Sequence, residues 1–258
     1  MKVDGIGFIV TGGASGLGLA TAKLMRESGA RVGVIDINGP GGWDGAFAKA
    51  DVSDEDAVSA ALDELKPATG QLHGMLNAAG GGGSGLFLGE GARLDVARFR
   101  RALEVNTLGS FIMCKQIGER MLKATPDANG ERGVLINVSS IVAEEGQMGT
   151  AGYAAAKGGV AAMTLVIARE LARFGIRAMT IAPGIFETPM LNAGGHAGGP
   201  MREALRSAVQ FPARPGDPSE FAAMAKHIVE NPMLNGLTLR LDGAYRVPPG
   251  EPSWWLGR

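Results

Sequence analysis

Apolar and polar positions repeat along the chain with two different periods. Ile6–Val10 and Val32–Ile35 are short apolar runs, the first closed by glycines and the second by Asp36. Runs of this kind form strands buried on both faces of a parallel sheet. Between them, Leu17–Ser28 places Leu17, Ala20, Leu24 and Met25 on one helical face, and Gly29 stops the helix. Strand, helix and strand within about 30 residues make a βαβ unit. The alternation then continues. Phe47–Ala48 leads to Asp51–Val52, followed by a helix over Asp54–Leu65, a strand over Leu72–Ala78 and a helical stretch over Asp95–Leu122. A strand over Gly133–Val138, a helix over Tyr153–Phe174, a strand over Ile176–Ala182, a helix over Pro218–Glu230 and a last strand over Leu237–Leu241 complete it. The pattern predicts an α/β fold, a doubly wound seven-stranded parallel sheet with helices on both faces. No shift in composition and no internal repeat divides the chain, so residues 1–258 read as one domain.

Two glycine-rich segments, Gly80–Gly91 and Asn192–Pro200, interrupt the alternation. Each reads either as a surface connection or as the rim of a site. The second is favoured as a lid, within a substrate loop at about 185–215. Glycine reaches 41 residues of 258, about twice the usual ~7%. It has no collagen period, so it serves turns, close backbone approaches and loops.

Charge and composition remove several function classes. With 25 basic and 26 acidic residues the net charge is −1, which offers nucleic acid or an anionic membrane no attraction. The longest apolar run, Val160–Ala168 allowing Thr164, falls far short of the ~20 residues that span a bilayer. The N-terminal Met1–Gly5 carries an acid where a signal peptide has base. A soluble, cytoplasmic protein is expected. Cys114 is the single cysteine, in the apolar run Phe111–Cys114, and reads as a buried inert thiol. His73, His196 and His227 lie on separate elements without ligand spacing, so no metal is expected.

The first strand runs directly into Thr11-Gly12-Gly13-Ala14-Ser15-Gly16-Leu17-Gly18, which opens the first helix. Glycines at 12, 16 and 18 let a phosphate approach the backbone, and the helix N-terminus offers N–H groups and a positive dipole end. In this strand–turn–helix setting the string reads as a dinucleotide-binding turn. Asp36, at the end of the second strand, can accept both hydroxyls of a ribose and would repel a 2′-phosphate. Ser15 stands before Gly16, and the turn holds no Arg or Lys. Both features point to NAD rather than NADP.

Tyr153 and Lys157 are i and i+4 on one predicted helix and share a face. A tyrosine with a pKa near 10 is a poor base at neutral pH. A nearby ammonium and an oxidised nicotinamide favour the phenolate. Such a tyrosine can take the proton of an alcohol as hydride leaves, or return it to a carbonyl. Ser140, just past the fifth strand, would face the cofactor crevice and hydrogen-bond the substrate oxygen.

Over essentially its whole length the chain resembles the short-chain dehydrogenase/reductase family. The resemblance rests on Thr11–Gly18, Asp51-Val52, Asn77-Ala78-Ala79-Gly80, Asn106, Ser140, Tyr153, Lys157 and Pro183-Gly184. It implies a Rossmann-type fold. It implies that Asp51 and Val52 contact adenine, and that Asn77, Ala78, Ala79 and Gly80 support the sheet and the adenine ribose. It also implies that Asn106 holds a water in a proton relay with Lys157, and that Lys157 binds the nicotinamide ribose. Pro183, Gly184, Ile185 and Thr188 would border the nicotinamide. Gly12, Ser15, Gly16, Leu17 and Gly18 would hold the pyrophosphate. Ser140 rather than Ser139 has the family's spacing of thirteen before the tyrosine.

Arg132–Asn137, Tyr153–Gly159, Pro212–Pro218, Glu230–Pro232 with Leu234–Gly236, and Arg240–Ala244 resemble the type II 3-hydroxyacyl-CoA dehydrogenase branch, which also acts on hydroxysteroids. That branch implies reversible NAD-dependent oxidation of a secondary 3-hydroxyl, on an acyl-CoA or another secondary alcohol. It also implies a homotetramer built partly through the helix from Tyr153 and the one near Asn106. A 3-oxoacyl-carrier-protein reductase or another secondary-alcohol dehydrogenase is the alternative enzyme. A non-catalytic NAD-binding sensor or scaffold would not need Ser140, Tyr153 and Lys157 together. The loop Gly80–Gly91, the segment Asn192–Val209 and the tail Glu251–Arg258 depart from the branch. Trp254 and Trp255 are expected to pack on a neighbouring subunit or at a substrate mouth.

Overall fold

A computed structural model describes residues 1–88, 93–191 and 209–247. The Asn192–Pro200 loop with His196, part of the Gly80–Gly91 loop and the Trp254-Trp255 tail lie outside the described residues. The strands are β1 (Gly7–Thr11), β2 (Arg31–Asp36), β3 (Ala46–Lys49), β4 (Leu72–Asn77), β5 (Gly133–Val138), β6 (Ile176–Pro183) and β7 (Thr238–Leu241). They form one sheet in the order β3-β2-β1-β4-β5-β6-β7, with every described pairing parallel. The expected seven-stranded doubly wound sheet is therefore present. The strand order reverses direction between β1 and β4, and that switch point opens a crevice at the strands' carboxyl ends.

Among the described residues the α-helices are α1 (Gly16–Glu27), α2 (Glu55–Thr69), α3 (Val96–Leu103), α4 (Gly109–Met121), α5 (Ala151–Ala172), the single turn α6 (Pro189–Leu191) and α7 (Pro218–Glu230). The strands' period of two divides the core. Phe8 and Val10 of β1, with Val134, Ile136 and Val138 of β5, face Ala22 and Met25 of α1 and Phe221, Ala225, Ile228 and Val229 of α7. Ile9 and Leu135 point the other way, into Val58, Leu62 and Leu65 of α2 and Ile112, Met113, Ile117 and Met121 of α4. Both faces of the central strands are buried, which is why they read as continuous apolar runs.

The structure departs from the sequence pattern in three places. Helix α2 continues to Thr69, past Pro67. Thr69 is buried and donates its hydroxyl to the Leu65 carbonyl, which holds the last turn in place. The stretch expected as one helix over Asp95–Leu122 is broken by a π-helical segment over Glu104–Leu108. Helix α5 starts at Ala151, which puts Tyr153 in its first turn.

Candidate active site

A cleft of about 680 Å³ opens at the carboxyl ends of β1, β2, β4, β5 and β6. Its walls include the first turn of α1, Asp36, Asp51, Val52, Ala78–Gly80, Ser140, Tyr153, Lys157, Pro183–Ile185 and Thr188. Of the residues expected in the site, Asn77 and Asn106 are not among those lining the cleft.

One end is built from backbone. Gly12 has φ +64°, and a Cβ there would lie 2.8 Å from the Ala79 nitrogen. At Gly18 a Cβ would lie 2.3 Å from the Gly12 carbonyl oxygen. The turn and helix therefore close only around hydrogen at these positions. Ser15 is the N-cap of α1 but makes no side-chain cap, and the first turn carries no acid. The helix entrance is left for an external anion. Asp36 sits beside it, its carboxylate accepting from the Ala14 amide at 3.1 Å and the Asn38 amide at 3.0 Å. A glycine cradle, an uncapped helix entrance and a strand-end carboxylate together fit the pyrophosphate and ribose of a dinucleotide.

Asp51 also lines this end. Burial pushes its carboxyl up, but hydrogen bonds from Ser53 and the Arg101 guanidinium outweigh that and leave it below the ordinary value. Val52 is buried and abuts Gly109. Asn77 works from behind the wall. It accepts a short hydrogen bond from Thr11 and donates to Ser110 at 2.8 Å, while Thr11 accepts from the Ala79 amide at 3.1 Å. This buried network ties β1, β4 and α4 and aligns the Ala78–Gly80 backbone along the cleft.

The other end is built from side chains. Lys157 lies 5.8 Å from the centroid of the Tyr153 ring. Its ammonium donates to the Val138 carbonyl at 2.7 Å, and burial lowers its pKa to about 8. Burial pushes the Tyr153 hydroxyl up to about 12, against the pull of a hydrogen bond with Ser140. Ser139 is engaged elsewhere, donating to the Lys157 carbonyl at 2.8 Å. Ser140 caps the short 3-10 turn over Ile141–Ala143, accepting from the Val142 amide at 3.3 Å. Asn106, within the π-helical segment, is fully buried. Its side chain brackets Gly81, accepting from the amide at 3.1 Å and donating to the carbonyl at 2.9 Å. A Cβ on Gly80 would touch both the Asn106 side chain and Lys157 Nζ, so Asn106 stands next to the lysine without opening on the cleft.

The cleft also takes residues that the sequence reading passed over: Ile37, Asn38, Ala50, Arg101, Gln147 and Thr150. Ile37 and Asn38 follow Asp36 directly, and that adjacency is a usable signal. Arg101 reaches the site through its ion pair with Asp51, fifty residues away in the chain, and nothing local marks it.

A profile of the family described as short chain dehydrogenase matches residues 8–197. Human 3-hydroxyacyl-CoA dehydrogenase type-2 is 43% identical, with 96% of this chain and 98% of that protein covered. Ipsdienol dehydrogenase of Ips pini is 34% identical, with 95% of this chain and 99% of that protein covered. The crystal structure of 3-hydroxyacyl-CoA dehydrogenase type-2 from Mycobacterium avium superposes with a TM-score of 0.88 at 33% identity, covering 97% of this chain and 100% of that one. The chain belongs to the short-chain dehydrogenase family and is an oxidoreductase acting on CH–OH groups with a nicotinamide cofactor.

Proposed function

We propose that the protein oxidises the 3-hydroxyl of a 3-hydroxyacyl-CoA to the ketone with NAD, reversibly. One observation carries this reading. Tyr153, hydrogen-bonded to Ser140 and beside Lys157, lies at one end of a cleft whose other end presents Asp36. The 43% identity to the human type-2 enzyme supports the substrate class.

Oxidised NAD, when bound, supplies the hydride acceptor. The chain's own groups handle the proton. Ser140 donates a hydrogen bond to the substrate oxygen and fixes it against Tyr153. The Tyr153 oxygen takes the hydroxyl proton as the carbon–oxygen double bond forms, and gives it back in the reverse reduction. Burial opposes the phenolate this requires, so a positive charge must offset it, and Lys157 is the cation the protein places there. A lysine titrating at about 8 keeps that charge at neutral pH. Ser139 is excluded from the acid–base role by its bond to the α5 backbone.

The preference for NAD rests on Asp36 and its neighbours. Ser15, Ile37 and Asn38 all line the cleft beside it, and none can neutralise a 2′-phosphate. A homotetramer is the proposed assembly. Phe111 on α4, with Leu165 and Val166 on α5, exposes about half its surface, as helices awaiting a partner do. Light scattering on the purified protein reads the assembly.

The test of function is a substrate panel of short and branched 3-hydroxyacyl-CoAs, hydroxysteroids and simple secondary alcohols, each with NAD and with NADP. The expected result is highest kcat/KM on a 3-hydroxyacyl-CoA with NAD. Preference for NADP overturns the Asp36 argument, and preference for a free alcohol or steroid overturns the acyl-CoA assignment.

A further inference from the structure

Arg240, at the end of the edge strand β7, joins two walls of the active site that are far apart in sequence. Its Nη1 lies 2.9 Å from a Glu144 oxygen and 2.7 Å from a Glu145 oxygen. On the other side, its Nε and Nη2 lie 2.8 and 2.7 Å from one oxygen of Asp242. Nη2 also donates to the Tyr245 carbonyl at 3.2 Å. Glu145 in turn accepts from the Val247 amide at 2.9 Å and pairs with Arg246. Arg240 is only 20% exposed and Asp242 only 9%. Partly shielded, charge-assisted bonds of this kind are stronger than surface ion pairs.

The two walls belong to the site. Glu144 and Glu145 sit in the middle of the segment that begins at Ser140 and continues through Gln147 and Thr150, and those three line the cleft. Asp242 backs Gly184, another lining residue, so closely that a Cβ on Gly184 would lie 2.8 Å from the Asp242 Cβ. Between the walls, Ile141, Val209 and Tyr245 form a small buried cluster against which Ile185 and Val247 pack. Ile185 lines both the main cleft and an adjoining cavity of about 200 Å³.

We propose that Arg240 is a positioning residue that sets the substrate side of the cleft by locking the segment after Ser140 to residues 242–247. It touches no reacting atom and acts through Ser140 and Ile185. This rests on the alcohol-oxidising reading above, in which Ser140 holds the substrate oxygen. The pyrophosphate and adenosine end of the cleft, built from the Gly12–Gly18 turn and Asp36, shares none of these bonds; only Gly184 and Ile185, at the nicotinamide position, adjoin them. The guanidinium reaches three carboxylates with fixed geometry, which an ammonium cannot copy.

The test compares wild type, Arg240→Ala, Arg240→Lys and Glu145→Gln in the full-length protein. Two readouts are used on each. One is steady-state kinetics on the best alcohol of the panel, with NADH affinity from fluorescence titration. The other is hydrogen exchange of the peptides covering 140–150 and 242–247. Arg240→Ala is expected to raise the substrate KM about tenfold, because small misplacements in a site have large effects, while NADH affinity stays within about twofold. Exchange should rise in both peptides together. Arg240→Lys should recover part of both effects, and Glu145→Gln should raise the substrate KM less than Arg240→Ala does. Equal loss of NADH and substrate affinity would overturn the proposal, as would unchanged exchange in either peptide. Exchange needs no substrate, so failure of the functional reading shows instead as absent turnover in wild type.

Discussion

The two ends of the cleft are made in different ways. The cofactor end is mostly main chain: a glycine turn, a helix entrance left without a side-chain cap, and strand ends aligned by a buried Asn77 network. The substrate end is mostly side chain: Tyr153, Lys157 and Ser140, braced by an ion network whose members lie about a hundred residues apart. Main-chain sites tolerate almost no added atoms, because a Cβ meets backbone that cannot move. Side-chain sites tolerate substitution but depend on charge and on burial. The first kind of wall serves one invariant ligand. The second can be retuned, and it is where the proposed function puts the chemistry.

That contrast can be broken most severely at Gly18. Gly18→Val places its Cβ 2.3 Å from the Gly12 carbonyl, and the turn must open. NADH affinity, measured by fluorescence titration, is expected to fall about a hundredfold. A change below threefold would mean that the turn is not the binding element. Asp36→Ala is milder, because it keeps the glycines of the turn and removes one carboxylate, which holds the Ala14 amide and is proposed to reject a 2′-phosphate. The ratio of kcat/KM for NAD over NADP should drop about tenfold, and an unchanged ratio would assign discrimination elsewhere.

The smallest effect lies in the stability of the cofactor-free protein. Lys157 titrates at about 8 when folded, against 10.5 when unfolded, because it is buried. Between those values the unfolded chain holds a proton that the folded chain has lost, so on this group's account unfolding free energy rises with pH. Tyr153, raised from 10 to about 12, acts in the opposite sense above pH 10. Denaturant unfolding from pH 8 to 10 should therefore show a stabilising slope that Lys157→Met lacks. Equal slopes in the two proteins would show that the lysine is not desolvated in the folded chain.

The same contrast explains what could be read from the chain. β1, the turn, α1 and β2 are contiguous, so Gly12, Gly16, Gly18 and Asp36 could be placed from spacing alone. Tyr153 and Lys157 were legible because helical geometry puts i and i+4 on one face. Ser139 and Ser140 differ by one position, and only the structure shows Ser139 turned into α5. The π-helical segment around Asn106 left no mark, since a widened turn keeps the same apolar spacing. Nor did the sequence reveal that Gly83 packs against the start of α5, where a Cβ would lie 2.7 Å from the Tyr153 nitrogen. The ion pairs of Arg101 and Arg240 depend on how distant segments meet, and no local pattern encodes that.

In the proposed function Tyr153 transfers the proton at a site whose pyrophosphate and adenosine end is built independently of it. Tyr153→Phe removes one oxygen and leaves the ring beside Lys157. The measurement is kcat/KM for the best alcohol with NAD, paired with NADH affinity in the same preparation. The expected result is a loss of about a thousandfold or more in kcat/KM with NADH affinity unchanged. Activity within tenfold of wild type, in a variant that still binds NADH, would contradict it.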